Sequence, residues 1–461
     1  MTRLVSQLFK PVDIALLVYF RLAFGGIMLW EMLRFFAYGR VKSYWIDPQF
    51  HFKYFGFEWV HPLPPVGMYW VCCVMTAATL GILLGYFYRV SAALFALGIT
   101  YLFLIDQSQY INHFYLMCLL GFIAVLLPAH RAFSVDAALR KSIRSDTAPA
   151  WTVWLLRAQM GIVYFYGGIA KINLDWLRGE PMRTWLRKRA DYALVGKFFE
   201  TEVAPYFFSY GGLLFDLCIV PLLLWRRTRI AAFILALCFH ATNEVMFTIG
   251  VFPYLSVALT ALFFSPDWPR RFGARVRSFW YGEQEHRKSA KKLDSGPVLP
   301  PSPLARRLTL GLLAVYFGWQ LLLPLRHSLY PGNVHWTEEG HMFSWHMMLR
   351  TKTVHGFVFS VDDKSQETSA REINPSDYLT RRQIKKMRGR PEMLQQFCRY
   401  LGELEKEKGA TNVEVRARIH LSLNGREPQL LLDPNVDLAA AERKLGHATW
   451  IQPLETPFRW R

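Results

Sequence analysis

No cysteine pattern in this sequence matches that of a disulfide-stapled or zinc-binding protein. There are six cysteines in 461 residues, and no CxxC pair or metal-ligand spacing occurs among them. Cys72, Cys73, Cys118, Cys218 and Cys238 lie in apolar segments and Cys398 lies in the tail, so packing is their expected role and the tail has no disulfide framework. Charged residues are scarce too, at 19% against 52% hydrophobic and 16% aromatic, which is too apolar for an ordinary soluble protein. Acidic residues are the scarcer kind, 35 against 54 basic, for a net charge of +19. That excess would suit nucleic acid, but most of it sits in short loops between apolar runs, the signature of membrane topology; no nucleic-acid partner is expected. Internal repeats are absent, which argues against a repeat-built transporter. No HExxH motif occurs and no metal site is expected.

What the chain does contain is a series of apolar runs long enough to cross a bilayer. The first, Ile14 to Phe36, is long and interrupted by Arg21 and Glu31, so it reads as a first spanning helix and not a cleaved signal peptide. Nine spans are predicted, at 14–36, 66–86, 89–105, 112–128, 151–171, 207–225, 230–247, 249–264 and 305–329. The tight pairs 66–86/89–105 and 230–247/249–264 leave eight spans open, with one member re-entrant. With the N-terminus inside, the inner segments carry 20 basic residues and the outer connections 9. This favours a cytoplasmic N-terminus and a C-terminal domain outside. The basic outer loop 172–206 runs against the rule unless an interfacial helix carries its charges.

Residues 265–304 resemble a polar, Pro-rich inner linker. From about residue 330 hydrophobicity drops. Val413, Val415, Ala417, Ile419, Leu421 and Leu423 alternate as a half-buried strand, Thr353 to Val361 is a second strand, and Pro391 to Lys408 carries apolar residues at helical spacing. The fold class is therefore mainly α: a polytopic helical membrane domain over 1–329, then a small β-rich or α+β extracytoplasmic domain over 330–461.

The polar residues within the spans converge. The run Ile162–Trp176 ends an apolar, aromatic stretch with Lys171, followed by Asn173 and Asp175. Desolvation disfavours an ammonium, so Lys171 is a candidate base; the alternative is a lysine snorkelling to the headgroups. The topology puts Asn112 and His113, Lys171, and His240, Asn243 and Glu244 at the same outer depth, with Asp106 upstream and Trp345 and His346 at the start of the tail. Asn112 could also cap its helix. Arg21, Glu31, Arg34, Arg157 and Asp216 also interrupt spans, and ion pairing inside the bundle is expected of them. The basic run Arg381 to Arg390 is either a solvated face or a cradle for anionic headgroups or an acidic peptide.

These residues resemble the vitamin K-dependent γ-glutamyl carboxylases and their bacterial relatives. The likeness runs through His61-Pro62-Leu63-Pro64, Asn112-His113, Leu156-Arg157-Ala158-Gln159, Ile162–Trp176, Phe239-His240 to Asn243, Phe247-Thr248-Ile249-Gly250, Ser265–Arg270, Ser344–Met348, Asp433–Asp437 and Trp450–Leu454. The number, order and spacing of the pieces carry it, and it covers nearly the whole chain. The resemblance implies a reaction joining reduced vitamin K, O2 and CO2 with a peptide glutamate, giving γ-carboxyglutamate and the quinone epoxide. It also implies that Lys171 is the base, with His113 and His240 at the family's histidine positions.

A lysine amine is too weak to deprotonate the glutamate γ-carbon, since a gap of ~10 pK units adds ~14 kcal/mol. It is suited to deprotonating a hydroquinone, whose oxygenation then generates a stronger base. The expected roles follow: Lys171 as base, His113 oriented by Asn112 at the carbanion or CO2, and His240 with Asn243 on the quinone oxygens. Tyr164, Arg157 and Asp106 are expected around the cofactor, and Trp345 and His346 along the glutamate-containing peptide. The likeness has departures. Animal members continue past the position of Arg461, bridge the first outer loop to the tail through cysteines that loop 37–65 lacks, and carry an acidic residue where His346 stands. An integral protein of a bacterial inner membrane is therefore favoured over one of the endoplasmic reticulum. The alternative readings are a quinone-oxygenating relative with another acceptor, and a non-enzymatic quinone binder.

Overall fold

A computed structural model describes residues 2–193, 195–247, 249–281, 302–364 and 370–457. Each predicted span contains a helix. They are α1 (Ala15–Ala37), α2 (Pro65–Leu84), α3 (Tyr88–Ile105), α4 (Asn112–Leu126), α5 (Ala150–Ile169), α6 (Val203–Leu224), α7 (Arg229–Phe247), α8 (Phe252–Thr260) and, after α9 (Trp268–Tyr281), α10 (Pro303–Leu322). Among the described residues, six helices (α1, α2, α3, α6, α7 and α10 with the turn after it) are long and apolar enough to cross a bilayer. The nine-span expectation weakens at two places. α4 has 15 residues, and α8 with the 3₁₀ turn Ala261–Phe263 ends at Phe263. At 1.5 Å per residue that piece reaches roughly 18 Å, short of a hydrocarbon core about 30 Å thick. α5 has the length to span, with 20 residues.

Two other sequence expectations shift. The linker over 265–304 begins as helix α9, because Trp268, Phe272, Val276 and Phe279 fall on one helical face; residues 282–301 lie outside the described residues. Among the described residues, outer loop 172–206 holds three short turns of helix, Leu174–Leu177, Met182–Arg187 and Gly196–Phe199, in place of a single interfacial helix. Part of its positive charge is neutralised locally, since Arg183 pairs with Glu180 and Glu202.

The segments predicted to lie inside meet at one end of the bundle. Strand β1 (Pro11–Asp13) pairs antiparallel with β2 (Thr147–Pro149), and Arg270 reaches Asp13 at 2.9 Å and Asp146 at 2.7 Å. The predicted outer connections meet the C-terminal region at the other end. Gln383 donates to Asp106 at 2.9 Å, Arg382 to Gln109 at 2.7 Å, and Gln396 accepts from the Lys53 backbone at 2.7 Å.

The C-terminal region is α+β. Its antiparallel sheet has the order β4 (Arg371–Ile373), β3 (Lys352–Asp363), β5 (Val413–Leu423), β6 (Gln429–Leu430). Between the strands come α11 (Arg381–Met387) and α12 (Pro391–Glu407). Val413, Val415, Ala417, Ile419 and Leu421, every second residue of β5, are buried together with Met393, Leu394, Phe397 and Leu401 of α12. The period-two pattern thus meets the helical one across a single core.

Candidate functional site

Two glycines decide where the site forms. On α5, a Cβ at Gly168 would lie 2.6 Å from the Leu217 side chain and 3.2 Å from its backbone nitrogen, and one at Gly167 would lie 3.1 Å from Asp216 Oδ2. α5 and α6 therefore approach as only glycine allows. Lys171, just past the end of α5, is brought onto Asp216 of α6. Its Nζ lies 2.6 Å from Asp216 Oδ2, with both side chains buried, donates to Gly167 O at 3.1 Å, and lies 5.3 Å from the centre of the Trp176 ring. Trp176 is fixed by its indole N–H on Ser209 O at 2.7 Å and by Asn173, which caps the short helix after Lys171. Asp216 was expected to be ion-paired; its pairing with the candidate base was not foreseen. The signal was there, a lone carboxylate in one apolar span and a lone ammonium in another.

The pair lines a cavity of about 530 Å³ framed by α5, α6, α7 and α8. The walls are mostly apolar, from residues such as Val163, Leu214, Phe215, Leu235, Phe239 and Phe252, with Met347 and Met348 of the C-terminal region closing one side. The polar groups are few: Lys171, Asp216, Tyr164, His240, Thr242, Asn243 and Ser256. Tyr164 Oη lies 2.9 Å from His240 Nε2 and 3.4 Å from Thr260 Oγ1. Thr260 donates its own hydrogen to Ser256 O at 2.7 Å. His240 is buried and its Nδ1 has no protein partner. A buried, unpartnered ring nitrogen on an apolar cavity leaves one directed hydrogen bond for a ligand oxygen.

The structure brings together Lys171, Tyr164, His240 and Asn243. Other expected residues stand further back. His113 stacks on Phe252 with ring centroids 5.6 Å apart, and Phe252 in turn meets His240 edge-on at 6.1 Å; the two histidines flank one phenylalanine. Asn112 neither caps α4 nor orients His113. Ile111 occupies the cap position, while Asn112 accepts from Tyr110 Oη at 2.9 Å and donates to His346 O at 3.0 Å. It ties α4 to the C-terminal region. Trp345 is 1% exposed and packs on Tyr115 at 5.2 Å, so it supports the cavity's lid instead of presenting a surface to a peptide.

Two residues expected around the cofactor are committed elsewhere. Arg157 donates to Leu262 O at 2.8 Å and Phe264 O at 2.7 Å, holding the end of the short α8 segment. Asp106 accepts from Ser108 N and from Gln383 beneath the C-terminal region. Neither lines the cavity. Arg21 departs likewise from the expected ion pairing, donating to the carbonyls of Ile82, Leu83 and Phe133, whereas Glu31 does pair with Arg34 and Arg40. The basic run is split: Arg382 stacks over Tyr44 at 4.5 Å, while Arg381 and Lys385 are exposed.

The lid segment is strained. Glu338, Phe343, Trp345 and Met348 all have φ between +56° and +65°, a region that costs non-glycine residues of order 1–3 kcal/mol each and is held only by strong surroundings. Glu338 supplies part of the hold. Its carboxylate is buried, which alone would raise its pKa, but Arg350 and Lys352 bring it down to about 2. Lys352 Nζ lies 2.8 Å away, and Arg350 grips the carboxylate through Nε and Nη2.

Comparison with known families gives two matches in the order of the chain. Residues 9–268 match the HTTM domain family, and residues 305–457 match the family described as vitamin K-dependent gamma-carboxylase, lumenal domain. No solved structure matches this chain.

Proposed function

Because this chain belongs to the vitamin K-dependent γ-carboxylase family, we propose that it is a membrane-embedded γ-glutamyl carboxylase. It would add CO2 to glutamate in a peptide or protein while consuming O2 and reduced vitamin K. The observation that carries this reading is the buried Lys171–Asp216 pair at the polar side of an apolar cavity among membrane helices. A naphthohydroquinone with an isoprenoid tail suits those walls, and the unpartnered His240 Nδ1 suits one of its oxygens. When bound, reduced vitamin K supplies, through its reaction with O2 and release as the epoxide, a base stronger than any side chain.

The protein's own residues need only begin and contain that chemistry. Lys171 acts as a base when its amine is neutral. In a water-poor site an ammonium and a carboxylate lose much of their solvation. Passing one proton from Lys171 to Asp216, 2.6 Å away, yields a neutral amine beside a neutral acid. Asp216 is therefore Lys171's proton partner. His240, held by Tyr164 at 2.9 Å, and Asn243 orient the ring oxygens. His113 lies behind Phe252 and handles the carbanion or the released proton and CO2. The apolar walls and the Met347–Met348 lid exclude water, which would quench a strong base.

In this proposal the N-terminus is cytoplasmic, the domain over 330–461 is extracytoplasmic, and the membrane is a bacterial inner membrane. The quinone then comes from the bilayer and the peptide from the outer side. The test is incorporation of labelled bicarbonate into a Glu-rich peptide by purified protein with reduced vitamin K and O2, scoring epoxide in parallel. Both products, lost together in Lys171→Ala, support the proposal. Epoxide without label points to a quinone-oxygenating relative with another acceptor. Neither product from folded protein overturns catalysis in favour of quinone binding.

A further inference from the structure

Beside the cavity, the strained lid segment gathers histidines that the proposed chemistry does not use. His335, His341 and His346 are all buried, and each offers one ring nitrogen such that the three lie within 4.8 Å of one another. The rings of His335 and His341 stand 5.4 Å and 5.3 Å from that of His346. A fourth ring, His327, stands 4.6 Å from His346. His327 Nδ1 is 2.8 Å from Pro324 O; a carbonyl only accepts, so Nδ1 carries the hydrogen and Nε2 keeps its lone pair.

Two of the cluster's nitrogens lack partners altogether. The Nδ1 atoms of His335 and His346 are buried with no hydrogen bond in the protein, although each side chain is 4% exposed. An orphaned buried polar atom is costly, and two of them in one cluster of rings point to something that satisfies both.

We propose that His335, His341 and His346 form a binding site for a divalent transition metal of the zinc class, with His327 or an exogenous ligand in the fourth position. Three clustered imidazole nitrogens suit that class. Zn–N bonds of about 2.0–2.1 Å put the donor atoms about 3.4 Å apart, so the rings must close by somewhat over 1 Å. Arg350 Nη1 contacts His341 Nε2. If that nitrogen ligates, the contact opens, and Arg350 keeps its grip on Glu338, whose buried carboxylate offsets positive charge beside the metal. The close packing that assembles the site is visible at Gly340, where a Cβ would fall 2.5 Å from His327 Cα. The ion pins the segment that carries Met347 and Met348 over the cavity, which explains how so much positive-φ backbone is held.

The decisive experiment uses the full chain in detergent, purified without a metal-affinity tag, stripped with chelator and titrated with Co²⁺ as a spectroscopic probe. One equivalent should bind with the visible d–d bands of a tetrahedral nitrogen site and be displaced by Zn²⁺. His335→Ala and His341→Ala should each weaken binding at least about tenfold, while His355→Ala, on an exposed position of β3, should leave it unchanged. If folded, unsubstituted protein takes up no stoichiometric Co²⁺ or Zn²⁺, the proposal is overturned, and the orphan nitrogens belong to water or an anion. Binding that survives both alanine substitutions overturns it equally, as does binding lost with His355→Ala. Because the unsubstituted protein decides the first point, a variant that fails to fold does not blunt the test.

Discussion

Lys171 and Asp216 illustrate how costly one buried charge becomes without the other. Asp216→Asn leaves an ammonium with no counter-ion among apolar walls, and breaking such a pair costs about 3–5 kcal/mol. The expected result is a lower thermal midpoint together with a fall of at least about tenfold in epoxide and carboxylated product. Lys171→Met with Asp216→Leu removes both charges and should recover most of the stability, since an apolar pair of similar size is often neutral or stabilising. Activity should stay absent. If Lys171→Met/Asp216→Leu regained product formation, the pair would be structural only.

A second residue-scale expectation concerns pH. His51, in the first outer loop, is buried and its Nε2–H donates to Trp45 O at 3.2 Å. Burial, then the charge of Lys53, push it from 6.5 down to about 4. Below pH 6.5 the unfolded chain takes up a proton that the folded chain refuses. The neutral ring's contribution is thus complete above pH 6.5 and is lost as pH falls toward 4. Between pH 7.5 and 5 this amounts to about 2 kcal/mol. Thermal midpoints of the unsubstituted protein and His51→Gln at the two pH values should show a smaller drop in the variant; equal drops would refute the assignment.

At the scale of helices, α5 and α6 meet through glycines, and the cavity depends on that crossing. Gly168→Ala forces a methyl to 2.6 Å from Leu217, an overpacking that costs about 1–3 kcal/mol and moves Asp216 away from Lys171. Gly161, about two turns earlier on the same face of α5, would place its Cβ 3.7 Å from Val220, ordinary contact. Gly161→Ala should therefore keep activity and Gly168→Ala should lose most of it, with expression and thermal midpoint as controls. The short α8 belongs at this scale too. Arg157 on its last carbonyls holds an element too short to span, and this is why a residue that reads as a site arginine serves as a clamp.

Across the whole molecule, the C-terminal region is locked onto the loop that follows the base. Arg426 reaches Asp175 at 2.6 Å and Asn424 donates to the same carboxylate at 2.8 Å, from the turn between β5 and β6. Asp175 lies four residues after Lys171, so docking and the base share one loop. Arg426→Ala should loosen that loop, raise protease sensitivity at the junction and reduce carboxylation. Unchanged proteolysis and unchanged activity together would show that the contact contributes nothing to docking.

The apolar helices, their order and the two long strands were legible because each depends on local hydropathy or period-two alternation, which a sequence displays directly. So was the grouping of Lys171, His240 and Asn243 at one depth, since topology fixes depth. Depth does not fix contact. Whether Asp216 meets Lys171, 45 residues away, depends on how closely two helices cross, and whether Asn112 caps a helix or latches the lid depends on what packs above it. The histidine cluster was invisible for the same reason: His335 lies in the short helix Val334–Thr337 and His341 and His346 in the irregular stretch after it, so no period links them, and only their packing brings the rings together. Local physical chemistry wrote the membrane architecture into the sequence, while the site arose from side chains meeting across elements, which only close packing in three dimensions could decide.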